Sequence, residues 1–205
     1  MTTALPDLRD LDMESVLEHS YKDYHVKGFD YLCLHRSEGL TLKAYFFEGD
    51  VQNASEVVNP HNHRYDFHTT CLSGAVENRW YRSYPFGFNG DTRPQRYNMF
   101  EWRTPLNGGG GFTLSGEITL QNYRAMQCSR GEGYDMAADE LHTIQILKPD
   151  TVLLLVQHED VVPVDQPTLT FTQSVEPPDL SGLYNKFTAD QAVKRIEQLK
   201  SLTAG

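Results

Sequence analysis

Short apolar runs, separated by turn-forming residues, occupy the whole middle of this chain, and they constrain its fold more than any other feature. The runs lie at 29–35, 40–47, 67–72, 76–84, 95–102, 112–114, 118–126, 143–147, 152–156 and 169–173. Ser37-Glu38-Gly39, Ser73-Gly74, Pro85-Phe86-Gly87, Asn89-Gly90-Asp91 and Lys148-Pro149-Asp150 punctuate them. Runs of this length, rich in aromatic and β-branched residues, predict strands, and about ten of them at close spacing predict a β-sandwich or barrel. The ends read differently. Leu8, Leu11, Val16 and Leu17 make a partial helical face over 7–24. Thr188 can cap a helix over 188–202, in which Val193, Ile196 and Leu199 recur at helical spacing. The expectation is one domain over 1–205, mostly β, with a barrel core at about 27–175 and a helix at each end. Four consecutive glycines fall within 106–111 with no Gly-Lys-Ser/Thr after them, so this is a flexible loop and not a phosphate-binding loop. The stretch 174–185 reads as a linker.

Composition removes several classes of function. The formal charge is −10, with 18 Lys and Arg against 28 Asp and Glu, and the arginines are scattered. A nucleic-acid binder needs a basic face to neutralise phosphates, so none is expected here. No apolar run approaches the roughly 18–20 residues that span a bilayer. The three cysteines, Cys33, Cys71 and Cys128, include no C-x-x-C pair, which argues against a disulfide framework or a zinc–cysteine site. The first residues show no signal-peptide pattern, and the expected location is cytoplasmic. Asn53-Ala54-Ser55 fits a glycosylation pattern but carries no meaning in that compartment.

The chemistry concentrates in the histidines. Three of the eight lie in the segment Pro60-His61-Asn62-His63-Arg64-Tyr65-Asp66-Phe67-His68. On an extended chain His61 and His63 point to one face, and two imidazoles one pleat apart can bind a single divalent metal. Far downstream, the turn-rich stretch from Gly131 to Glu140 leads into a run that carries His142 near its start.

These two segments resemble the motifs of the cupin family. Its first motif is H-x-H, three or four residues, Glu, six residues and Gly; its second is a Gly-rich turn leading to a third histidine. The resemblance implies a small antiparallel β-barrel of jelly-roll type with a metal inside, held by His61, His63 and His142. The separation of 79 positions between His63 and His142 is long for the family and implies an insertion over about 86–107. One departure stands out. Counting back from Gly74 places Phe67 where the family has Glu. A four-residue spacing would place His68 there instead. On a regular strand Phe67, Thr69 and Cys71 share the inward parity of His61 and His63, and His68 faces out; a β-bulge would reverse this. His68 is thus the candidate catalytic group, a fourth ligand or a proton carrier beside the metal, only if the strand is irregular.

Three neutral imidazoles leave a metal its full charge and open positions for a substrate and dioxygen. The resemblance therefore implies a non-haem Fe(II) oxidoreductase, a dioxygenase acting with O2 on a small organic molecule; Zn, Ni, Mn and Cu are the other candidate metals. Arg79, Tyr81, Arg124 and Cys71 are candidate substrate-binding residues, since an inward arginine suits a carboxylate. Two other classes fit the same fold: a sugar epimerase or isomerase in which histidine is the acid or base, and a small-ligand or metal-binding module without turnover. Exposed edge strands make a homodimer the expected assembly.

Overall fold

Alternation along the strands turns into two facing sheets. The computed structural model describes residues 7–24, 29–49, 59–84, 93–180 and 184–203. The turns expected at 85–87 and 89–91, the glycosylation pattern at 53–55 and part of the linker lie outside them. Among the described residues ten strands follow in order: β1 (Phe29–Arg36), β2 (Leu40–Phe47), β3 (Tyr65–Ser73), β4 (Ala75–Ser83), β5 (Gln95–Arg103), β6 (Gly111–Ser129), β7 (Gly133–Met136), β8 (Leu141–Ile146), β9 (Thr151–Asp160) and β10 (Thr168–Thr172). The first sheet runs β1-β2-β9-β3-β7 and the second β10-β5-β6-β4-β8. Their pairings are antiparallel, as the fold reading required. No helix among the described residues is long and apolar enough to cross a membrane.

The inner faces of both sheets meet in one core. Phe29, Phe47, Phe67, Leu153 and Leu155 from the first sheet pack with Val76, Trp80, Cys128, Ile144 and Ile146 from the second. The outer face of the first sheet buries Leu32, Leu42, Ala44, Phe46, Leu154 and Val156 under two helices, α1 (Met13–His19) and α2 (Ala189–Thr203). The β3–β4 turn depends on Gly74. Its φ is +75°, and a Cβ there would lie 2.2 Å from Thr151 Oγ1, so a side chain meets both backbone strain and a clash.

Several local expectations change. The runs at 112–114 and 118–126 are one strand, β6, because β5 pairs along both halves and a register shift between Met99 and Phe100 absorbs the irregularity. The expected insertion is in part a full member of the second sheet: β5 lies between β10 and β6. β7, read as turn, is a short strand that pairs with β3 and buries Tyr134 and Met136. The first helix is shorter than 7–24. Asp12 caps it by accepting from the N–H groups of Glu14 and Ser15, and Ser20 is already extended. In α2 Thr188 and Gln191 form reciprocal cap bonds, but the buried positions are Ala192, Ile196 and Leu199, while Val193 is exposed.

Candidate metal centre

The segment 60–63 precedes β3 and is held from both sides. His61 bridges to His142 at the head of β8 and to Thr170 of β10, the two edge strands of the second sheet. His61 and His142 exchange both backbone hydrogen bonds at 3.0 Å. Residues paired in this way present their side chains to the same face. Asn62 fixes the register further. Its N–H donates to the Leu169 carbonyl, and its Oδ1 accepts from the Leu169 N–H at 2.6 Å. The His63 N–H donates to the Ala138 carbonyl. Asp66, outward on β3, accepts from the Ala138 N–H at 2.8 Å and pins the turn that presents His142.

The outcome is a tight group of three imidazoles. One ligand atom from each of His61, His63 and His142 lies within 4.8 Å of the others. Two of the rings are oriented from outside through their distal nitrogens. His61 Nδ1 is 2.9 Å from the Asn59 carbonyl, and His142 Nδ1 is 2.6 Å from Oδ1 of the fully buried Asn78 on β4. Donation at Nδ1 leaves the Nε2 lone pair of each ring free for a metal, a common way of fixing a histidine ligand. His63 Nε2 and His142 Nε2 are 2.9 Å apart. Two nitrogens each roughly 2.0–2.1 Å from one ion, the zinc–imidazole distance, stand about this far apart when they subtend a right angle. Burial holds the pKa values of His63 and His142 well below the usual imidazole range. Both rings are therefore neutral, as metal ligation requires. The group fits a divalent metal, and imidazole suits iron, zinc, copper and nickel.

Phe67 stands where a cupin Glu would be. It is buried, with its ring centroid 4.8 Å from His63 and 5.7 Å from His142. The group has an apolar wall there, and among the described residues no carboxylate joins it. It opens on a cavity of about 410 Å³ lined by Tyr45, Phe47, Phe67, Leu155 and Ile144 among others.

The other sequence candidates lie elsewhere. β3 keeps regular parity from Phe67 to Cys71, so His68 faces away from the cavity and pairs with Asp135 at 2.7 Å on the outer face. Glu77, Arg79 and Tyr81 share the outer face of β4: Arg79 pairs with Glu77 at 2.6 Å, and the Tyr81 hydroxyl lies 3.5 Å from Thr143 Oγ1. Arg124 is exposed and stacks on the Trp80 ring at 4.2 Å. Cys71 is a core thiol donating to the Ser73 carbonyl, its pKa pushed up to about 11 by burial. None of these five lines the cavity. The structure instead brings in residues with no motif of their own: Asn78 behind His142, and Lys43, Tyr65 and Gln157 in the cavity. One signal for Lys43 was in the sequence, a lysine inside the apolar run Leu40–Phe47.

No family model and no curated protein matches the chain. Among solved structures, that of KdgF from Halomonas sp. aligns with a TM-score of 0.36 at 12% identity, over 65% of this chain and 82% of that one. Fe(II) HppE aligns with a TM-score of 0.41 at 12% identity, over 76% of this chain and 60% of that one. Hydroxypropylphosphonic acid epoxidase from S. wedmorenis aligns with a TM-score of 0.39 at 13% identity, over 73% of this chain and 61% of that one. This chain thus spans less than two thirds of the last two. Scores at this level carry no argument, and the family resemblance rests on the facing antiparallel sheets and the histidine group. The chain resembles a cupin.

Proposed function

We propose that His61, His63 and His142 hold one divalent metal, iron(II) foremost, and that the protein is an oxygen-dependent oxidoreductase, a dioxygenase of a small organic molecule. The observation that supports this is the convergence of three imidazoles, two of which have their distal nitrogens tied back to Asn59 and Asn78. Bound iron(II) would supply the redox chemistry that couples dioxygen to an organic substrate. The chain's own residues do the rest. The histidines bind, Asn78 and the Asn59 carbonyl orient two of the rings, and Phe67, Ile144 and Leu155 keep water from the enclosed side. Among the described residues no carboxylate joins the group of three, which favours this reading over metal-assisted hydrolysis, where a carboxylate base is the usual partner. The three unpaired, buried cysteines suit the proposed cytoplasmic setting, and a homodimer is the proposed assembly.

The test is metal analysis of the purified protein, then anaerobic Fe(II) loading and oxygen uptake with thiols, diketones and catechols. Stoichiometric iron and substrate-dependent uptake are expected. Turnover of a sugar without oxygen would favour the epimerase class. Metal binding with no turnover of any kind would favour a binding module.

A further inference from the structure

The cavity carries a charge pattern opposite to that of the chain. Among the described residues Lys43, Arg36 and Arg64 line it, against a single carboxylate, the exposed Asp160, in a protein of formal charge −10. Arg64 donates to the carbonyls of Val162, Pro163 and Gln166 and meets no acid among the described residues. Lys43 is the telling residue. It is 8% exposed and lies in β2, where strand parity turns it inward with Tyr45 and Phe47. Its Nζ sits over the rings of Tyr31 and Tyr65, 5.4 and 4.8 Å from their centroids, and donates to the Tyr65 hydroxyl at 3.2 Å. No carboxylate pairs with it among the described residues. An ammonium has three donors, and one is in use. A buried cation without an anion is costly, and a ligand that brings the anion removes that cost.

Resting on the metal reading above, we infer that the cavity takes a small organic carboxylate, its acid group held by the Lys43 ammonium and the Tyr65 hydroxyl while a heteroatom at its other end reaches the three-histidine centre. The distances suit this. Tyr65 contacts both: its ring centroid is 5.4 Å from that of His63 and 4.8 Å from Lys43 Nζ. The Tyr65 oxygen accepts from Lys43, so its own proton is available to a carboxylate oxygen. Tyr45, Phe47 and Phe67 provide an apolar wall for a short carbon skeleton. Gln157 Oε1, buried in the same cavity without a partner, offers an acceptor to a hydroxyl or N–H on that skeleton. A cavity of about 410 Å³ is small among ligand pockets, which run from about 300 to 1,000 Å³.

The experiment uses the Co(II)-loaded protein, in which a bound thiolate is read from its ligand-to-cobalt absorption. Mercaptoacetate, mercaptopropionate and mercaptobutyrate are titrated against ethanethiol, propanethiol and butanethiol. At least one acid is expected to bind about tenfold tighter than its alkanethiol, the scale of one charge-assisted contact. Lys43→Met should remove that preference while cobalt content stays stoichiometric. Equal affinities in the unmodified protein overturn the inference, and so does a preference that survives Lys43→Met. If the variant fails to take up cobalt, the ratio in the unmodified protein decides alone. A wild-type protein that takes up no cobalt overturns the metal reading and this one together; cobalt bound without a carboxylate preference overturns this one only.

Discussion

The two faces of the first sheet are built from alternate residues of the same strands, yet they do different work. Along β2, Leu42, Ala44 and Phe46 turn outward and are sealed by the helices, while Lys43, Tyr45 and Phe47 turn inward and line the cavity. The outer face is closed by apolar packing. Where the polar chain approaches it, charges are paired: Arg195 meets Asp30 and Glu48 at 2.5 Å each and stacks on the Phe46 ring. On the inner face Lys43 meets no carboxylate among the described residues, and Gln157 Oε1 has no partner. The difference teaches that stability and chemistry are separable here at single-residue resolution, because neighbours in sequence report on opposite layers.

The strongest test of that separation removes a ligand. His61→Ala, His63→Ala or His142→Ala should abolish stoichiometric metal retention, measured by elemental analysis after dialysis, while the far-UV circular dichroism stays that of the unmodified protein. Metal surviving all three substitutions would falsify the site. Next comes the outer layer. Phe46→Ala should cost about 3–5 kcal/mol in denaturant unfolding, as large-to-small changes of a fully buried aromatic do, with metal stoichiometry kept in the folded fraction. A variant that unfolds little but loses its metal would mean that the two layers are coupled.

Asn78→Ala sharpens the boundary, since Asn78 touches the site only through His142. Loss of such an orienting group weakens metal affinity by about 10–100-fold, read by competition with a chromophoric chelator, and Asn78→Asp should restore part of it. The pH response is smaller. Burial lowers the folded pKa of His63 and His142, so below the unfolded value of about 6.5 the unfolded chain binds protons that the folded chain refuses. The metal-free protein should therefore hold its stability above about pH 6.5 and lose it on acidification, by at most about 1.4 kcal/mol per pH unit for each histidine. Urea midpoints on either side of that pH check the sign; a midpoint that rises on acidification would contradict it. The least effect is expected from His68→Ala. Its exposed pair with Asp135 is worth under about 1 kcal/mol, and metal content and turnover should both stay near the wild-type level. Lost metal would place His68 at the centre after all, and retained metal with lost turnover would make it a proton carrier.

Strand periodicity made most of this architecture readable. Apolar runs in 29–47 and 67–84, closed by turn residues, foretold the strands. The same parity placed His61, His63 and Phe67 on one side and His68 on the other. Local rules also set Thr188 as a helix cap, while the Asp12 cap appeared only in the structure. What the sequence alone could not decide depended on partners distant along the chain. Asn78 and His142 are 64 residues apart and meet only because β4 and β8 are neighbours. The face of β4 that looks inward was open until the second sheet chose Asn78 and Trp80 over Arg79 and Tyr81. Lys43 reads as an ordinary strand lysine until β2 is buried on both sides, with helices behind it and the cavity in front. Parity is a local property fixed by the pleat. Which face becomes the inside is fixed only when the second sheet and the helices compete to cover it.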